Sequence, residues 1–126
     1  MKSINKYFPK SKEIPIDRFI ENALYDKEYG YYSKKIPFGK YGDFITSPEI
    51  SFLFSEIIAL WVVALWEHLD RPKIFNVIEL GPGSGEMGSV LIRVFKKFPD
   101  FYNSINIFLY EKSKSLKKLQ KKKTYW

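Results

Sequence analysis

Residues Val77-Ile78-Glu79-Leu80-Gly81-Pro82-Gly83-Ser84-Gly85 read VIELGPGSG, an apolar run with one carboxylate followed by glycine at every second position. Glycine adopts positive φ without steric cost and lets a backbone pass close to another group. Before the glycines, Phe75–Leu80 (FNVIEL) has the composition of a short strand buried on both faces. After them, residues 86–98 place Met87, Val90, Leu91, Val94, Phe95 and Phe98 on one helical face, and Pro99 follows. A second buried-type strand, Ile105–Tyr110 (INIFLY), is closed by Glu111. Strand, helix and strand in so short a span form one βαβ unit, whose right-handed crossover makes the two strands parallel.

A glycine turn between a strand end and a helix start exposes backbone N–H groups to an anionic ligand. An acid at the end of the next strand accepts the hydroxyl hydrogens of a ribose, as dinucleotide sites do. Here Gly81, Gly83 and Gly85, with Pro82 between them, make the turn and Glu111 is the acid, so a nucleoside ligand is expected. Two motifs overlap. From Gly83 to Gly88 the chain matches the dinucleotide pattern GxGxxG. From Glu79 to Gly85 it reads ExGxGxG, which resembles the first motif of S-adenosylmethionine-dependent methyltransferases. Glu79 at the strand tip suits a cationic ammonium such as that of a methionine moiety. Glu86, in the first turn of the helix, would repel a pyrophosphate. Both points favour the second reading. The bland alternative is a glycine turn needed only for tight packing.

The rest of the chain narrows the choice. An apolar fraction of 45% over 126 residues, with 11 Phe, 9 Tyr and 3 Trp, points to a packed domain. The net charge of +7 is not spread: residues 1–111 hold all 14 acids and 14 of the 21 bases, and seven lysines lie between Lys112 and Lys123. A neutral body with a basic end lacks the extended positive groove of a nucleic-acid surface. Those lysines read as a solvated helix face. The absence of cysteine excludes disulfides, thiolate metal sites and thiol nucleophiles. His68 is the sole histidine, which excludes a His-rich metal cluster and argues against a serine triad. The segment 1–12 is polar and has no secretory core. The ten apolar residues Ile57 to Trp66 are too few to span a bilayer, which needs about 20.

Upstream of the βαβ unit, residues 14–25 form an amphipathic helix with Pro15 in its first turn, and 26–41 read as a tyrosine-rich loop whose rings pack at a core edge. Ser47-Pro48-Glu49 starts a helix capped by Ser47 and running to about Leu69, apolar nearly all round and so expected to be covered on most sides. A further helix covers 113–120, with no third strand after it.

The stretches Ala23-Leu24-Tyr25, Gly30-Tyr31-Tyr32, GDFITSPEIS (42–51), Glu79-Leu80-Gly81-Pro82-Gly83 and Tyr110-Glu111-Lys112-Ser113 together resemble the MidA-like family of S-adenosyl-L-methionine (SAM)-dependent methyltransferases, bacterial relatives of the mitochondrial protein-arginine methyltransferase that assists complex I assembly. The likeness runs from Ile16 to about Gln120. Ser84, Glu86-Met87-Gly88 and Ser55 depart from the family pattern. The resemblance implies an α/β fold: the N-terminal portion of a class I, Rossmann-like methyltransferase, with a helical preface (1–72) and the first βαβ part of the SAM domain (73–126), leaving the parallel sheet incomplete. It implies SAM as cofactor, with the turn, Glu79 for the methionine ammonium, Glu111 for the ribose and Thr46 at the pocket. Asp43 or Glu49 would orient a guanidinium. The implied acceptor is a protein arginine of a respiratory complex I subunit, with no nucleic-acid partner and a cytoplasmic location in a bacterium or the mitochondrial matrix in a eukaryote. Residues 121–126 leave the family pattern and read as a truncated end. The 126 residues alone are therefore expected to self-associate through uncovered apolar surface, to bind SAM weakly or undetectably and to transfer no methyl group. Two other classes remain open, a fragment of an NAD-type oxidoreductase and a non-catalytic interaction module docking through residues 50–69.

Overall fold

A computed structural model describes residues 13–34, 37–39 and 42–123. The segment 1–12, Tyr41 and residues 124–126 lie outside the described residues. In chain order the elements are α1 (Ile16–Tyr25), α2 (Tyr31–Lys34), α3 (Ser47–Ile50), α4 (Phe52–His68), β1 (Phe75–Leu80), α5 (Glu86–Phe95), α6 (Pro99–Ser104), β2 (Ile105–Tyr110) and α7 (Lys114–Lys123).

β1 and β2 pair in parallel, with Phe75 opposite Ile105 through to Leu80 opposite Tyr110. Side chains alternate across a strand, so Phe75, Val77 and Glu79 share the inner face with Ile105, Ile107 and Leu109. On the outer face Ile78, Leu80, Phe108 and Tyr110 are exposed. The strand composition suits burial on both faces, and the expectation that these 126 residues leave apolar surface uncovered matches what is seen: among the described residues the strands are covered on one face. The crossover helix α5 lies on the inner face and α4 packs on α5, so both helices shield the same side. The core joins Ala59, Val62, Val63 and Trp66 of α4 to Val90, Leu91, Val94 and Phe95 of α5, with Phe101 of α6 closing one end. Phe101 meets Phe95 and Trp66 edge-on, at ring separations of 4.9 and 5.4 Å, a geometry aromatic quadrupoles favour.

Several boundaries differ from the sequence reading. The helix expected over 47–69 is interrupted at Ser51, which is extended (φ −149°, ψ 125°), and its Oγ accepts the Leu53 N–H at 3.2 Å to begin α4. A serine offers the backbone this local alternative to a continuous helix. Thr46, not Ser47, is the N-cap of α3. α4 covers one stripe only, leaving Leu53, Ile57, Leu60 and Trp61 exposed. The helix expected over 86–98 ends at Phe95, and Pro99 opens the separate short helix α6, as proline in a first turn allows. The tyrosine-rich loop contains α2, and Tyr25, Tyr32 and Phe38 stack in series at 5.6 and 6.1 Å. His68 is exposed in the last turn of α4. No helix among the described residues is long and apolar enough to cross a membrane.

Ser55 is fully buried on α4, and its hydroxyl has no hydrogen-bond partner among the described residues. A buried, unpaired hydroxyl costs about 1–3 kcal/mol. Ser55→Ala is therefore expected to raise the unfolding free energy by about 1 kcal/mol, read as a shift of the urea midpoint at unchanged slope.

Candidate functional site

The N–H of Gly81 donates to the Tyr110 carbonyl at 2.9 Å, tying the glycine turn to the end of β2. Gly81, Gly83 and Gly85 have φ of 66°, 54° and 77°, a region costly for residues with a Cβ. Their surroundings differ. A Cβ on Gly81 would meet nothing within 4 Å, whereas one on Gly83 would lie 3.5 Å from the Phe38 ring. One on Gly85 would lie 3.1 Å from Cγ of Gln120 on α7, so the close approach there is to another helix.

Glu79 lies on the inner face at the tip of β1. Its Oε2 is buried without a hydrogen-bond partner among the described residues. Gly88 makes room for it, since a Cβ at that position would sit 3.2 Å from Oε2. Burial alone pushes the Glu79 carboxyl up to about 7. The group opens on a cavity of about 420 Å³. One wall is Glu79 to Ser84 with Glu86 and Met87, and the other comes from the helical preface: Phe38, Thr46, Ser47, Pro48 and Phe54. The stack through Tyr25 and Tyr32 is what brings Phe38 over Gly83.

The remaining expected site residues are held differently. Oε2 of Glu49 accepts the Thr46 N–H at 3.1 Å and the Thr46 hydroxyl at 3.2 Å, closing the N-terminus of α3. Asp43 accepts the Tyr31 hydroxyl at 2.5 Å, which pushes that phenol up to about 12. Both carboxylates thus have local partners, and neither residue lines the cavity. Glu111 is buried, with Oε1 accepting the N–H groups of Lys112 and Ser113, both at 2.7 Å, and Oε2 accepting from Gln120 at 3.3 Å. It sits beyond the turn from Glu79 and outside the cavity walls. Glu86, expected to repel a pyrophosphate, is paired with Lys123 at 2.5 Å. That pairing offsets the Glu86 charge on which the sequence argument against a pyrophosphate relied. Gln120 and Phe38 escaped the sequence reading. The signal for Gln120 was its spacing of four from Leu116, which makes a buried stripe within a run of lysines.

Three comparisons bear on this arrangement. A family model described as "Putative S-adenosyl-L-methionine-dependent methyltransferase" matches residues 57–124, more than half the chain. The chain belongs to this methyltransferase family. Among curated proteins, the family member described here is 40% identical over 85 residues to the mitochondrial protein arginine methyltransferase NDUFAF7 homolog of Drosophila melanogaster, covering 68% of this chain and 20% of that protein. It is 33% identical over 109 residues to human mitochondrial protein arginine methyltransferase NDUFAF7, covering 85% and 25%. A crystal structure described as a "COG1565 superfamily member and likely methyl transferase from Burkholderia thailandensis bound to S-adenosyl-homocysteine" superposes with a TM-score of 0.69 at 27% identity, over 87% of this chain and 28% of that one. The fold is thus part of a Rossmann-like methyltransferase, as the sequence implied. The chain spans about a quarter of the length of these relatives.

Because burial raises the Glu79 carboxyl, the folded chain keeps a proton that the unfolded chain releases between about pH 4.5 and about 7. The unfolded state then binds fewer protons, and stability falls as pH rises through that window. Glu79→Gln is expected to remove this fall and to be more stable than the parent at about pH 8. Urea unfolding at about pH 5 and about pH 8 measures both effects.

Proposed function

We propose that this chain forms the cofactor-binding part of a SAM-dependent methyltransferase domain, with residues 1–72 as the preface that walls the ligand cavity and 73–126 as the first βαβ part of the SAM-binding domain. The observation that carries this reading is the Glu79 carboxylate beneath the glycine turn, whose buried Oε2 has no hydrogen-bond partner among the described residues. A buried carboxylate without a donor is costly, and a ligand ammonium in the cavity would supply the missing donors and charge. The methionine moiety of SAM has such an ammonium. Gly81, Pro82 and Gly83 would offer backbone to that ligand, Gly85 would hold the turn's shape against Gln120, and Thr46 would contribute from the opposite wall. Glu111 keeps acceptor capacity on Oε2 beside its Gln120 contact, enough for a ribose hydroxyl. SAM would supply an electrophilic methyl group, and the chain's own residues would bind and orient it.

The finer reading follows from the relatives. Their names as protein arginine methyltransferases support a protein arginine as acceptor. The motif resemblance extends this to a subunit of respiratory complex I, with Asp43 or Glu49 recruited to the guanidinium after giving up its present partner. Mitochondrial names among the relatives fit a matrix location in a eukaryote, and the bacterial family a cytoplasmic one. The exposed apolar faces of α4 and the sheet support self-association of the isolated chain.

Titration with S-adenosyl-homocysteine, followed through the backbone amides of Gly81 and Gly83 by NMR, tests the central claim at millimolar ligand. Binding is expected to weaken as pH falls below about 7, because the ammonium pairs with ionised Glu79. Glu79→Gln should bind about tenfold less tightly or worse, the scale of one charge-assisted hydrogen bond, and lose the pH dependence. No binding by the parent chain, or equal binding by the variant at every pH, would refute the assignment.

A further inference from the structure

We infer that Gln120 is the positioning residue that locks the glycine turn and the ribose-binding acid into one frame. The inference rests on the proposed nucleoside site but reaches beyond it, to a side chain that touches no ligand. Nε2 of Gln120 donates to the Gly83 carbonyl at 2.9 Å and to Oε2 of Glu111 at 3.3 Å. Those two groups belong to different strand ends, and this amide spans them.

The setting makes the contact costly to lose. Gln120 is 4% exposed, one helical turn beyond the buried Leu116, on a helix whose other face is lysine. A buried amide is tolerated when its donors are used. Its Cγ and Cα stand 3.1 and 3.4 Å from where a Cβ on Gly85 would be. α7 therefore seats directly on the turn, and glycine at position 85 permits it. The backbone N–H groups of Lys112 and Ser113 hold Oε1 of Glu111. Gln120 holds the other oxygen and thereby sets the plane of the carboxylate. Lysine at this position would bring a charge and a flexible stem, and glutamate would bring no donor at neutral pH. Without the bridge, the Gly83 carbonyl and Glu111 Oε2 lose this shared donor, and turn and acid move independently. Bound geometry tolerates little such play.

The test uses the whole chain, S-adenosyl-homocysteine and its 2′-deoxyribose analogue. Gln120→Met keeps the reach and removes the donor. The parent is expected to prefer the ribose ligand. In Gln120→Met the affinity for S-adenosyl-homocysteine should drop about two- to tenfold, the span of one hydrogen bond, while the deoxy analogue changes less, so the preference shrinks. In a Glu111→Gln background the same substitution should cost less than in the parent, since part of its effect acts through that carboxylate and part through the Gly83 carbonyl. A reading without substitution is the side-chain NH₂ signal of Gln120 in the parent, which should move with S-adenosyl-homocysteine and stay nearly still with the deoxy analogue at matched saturation. Equal losses for both ligands would reduce Gln120 to a packing role. Tighter binding by Gln120→Met would mean that the side chain occupies the ligand's own place. Either result overturns the inference, as does an NH₂ signal that responds to neither ligand. If the parent itself binds no S-adenosyl-homocysteine, the function proposed above fails and this role falls with it.

Discussion

One backbone hydrogen bond organises the functional end of the molecule: Gly81 N–H to Tyr110 carbonyl, 2.9 Å. It extends the parallel ladder one step past the last paired residues, Leu80 and Tyr110. The glycine turn can therefore begin only where β2 ends, and Glu111 follows one residue later. Everything that converges there does so because the register admits no slip. A shift of one residue would turn Glu79 to the exposed face and Leu80 to the inner one.

Two carboxylates at neighbouring strand ends have opposite surroundings. Glu79 is enclosed by β1, α5 and the turn, with Gly88 leaving room for an oxygen that finds no donor among the described residues. Desolvation alone raises its affinity for a proton. Glu111 is more deeply covered, yet two backbone N–H groups and an amide meet its oxygens. Burial is similar in kind and the hydrogen-bond supply is not. That difference separates a carboxylate whose Oε2 has no donor among the described residues from one already built into the frame.

The helical preface walls one side of the cavity beneath the glycine turn. Its interruption at Ser51 leaves α3 as a separate single turn, whose start, Thr46 to Pro48, faces the glycine turn across the cavity. The capping interaction of Glu49 with Thr46 fixes that short helix, and the aromatic stack ending at Phe38 fixes the adjoining loop. Packing of α4 on α5 carries the whole preface to the mouth of the turn. The apolar residues left exposed on α4 and on the outer sheet face are the counterpart of this one-sided arrangement.

By itself the sequence determined the βαβ unit, the parallel strands and the character of the turn. These follow from local patterns: apolar runs of strand length, helical spacing, and glycines where backbone must adopt positive φ. GDFITSPEIS and ELGPG likewise carried the family. Helix ends were less legible, because Ser51 and Pro99 permit both continuation and a break, and packing decides between them. Tertiary structure alone decided which partner each polar group has. Asp43 and Glu49, read in the sequence as candidates to orient a guanidinium, proved engaged by Tyr31 and Thr46. Gln120 looked like one more polar residue in a lysine run and proved to bridge Gly83 and Glu111. A hydrogen bond between residues 37 apart depends on chain geometry that no local pattern encodes. The strand pattern set the face on which Glu79 lies, but only packing could leave its Oε2 without a donor among the described residues.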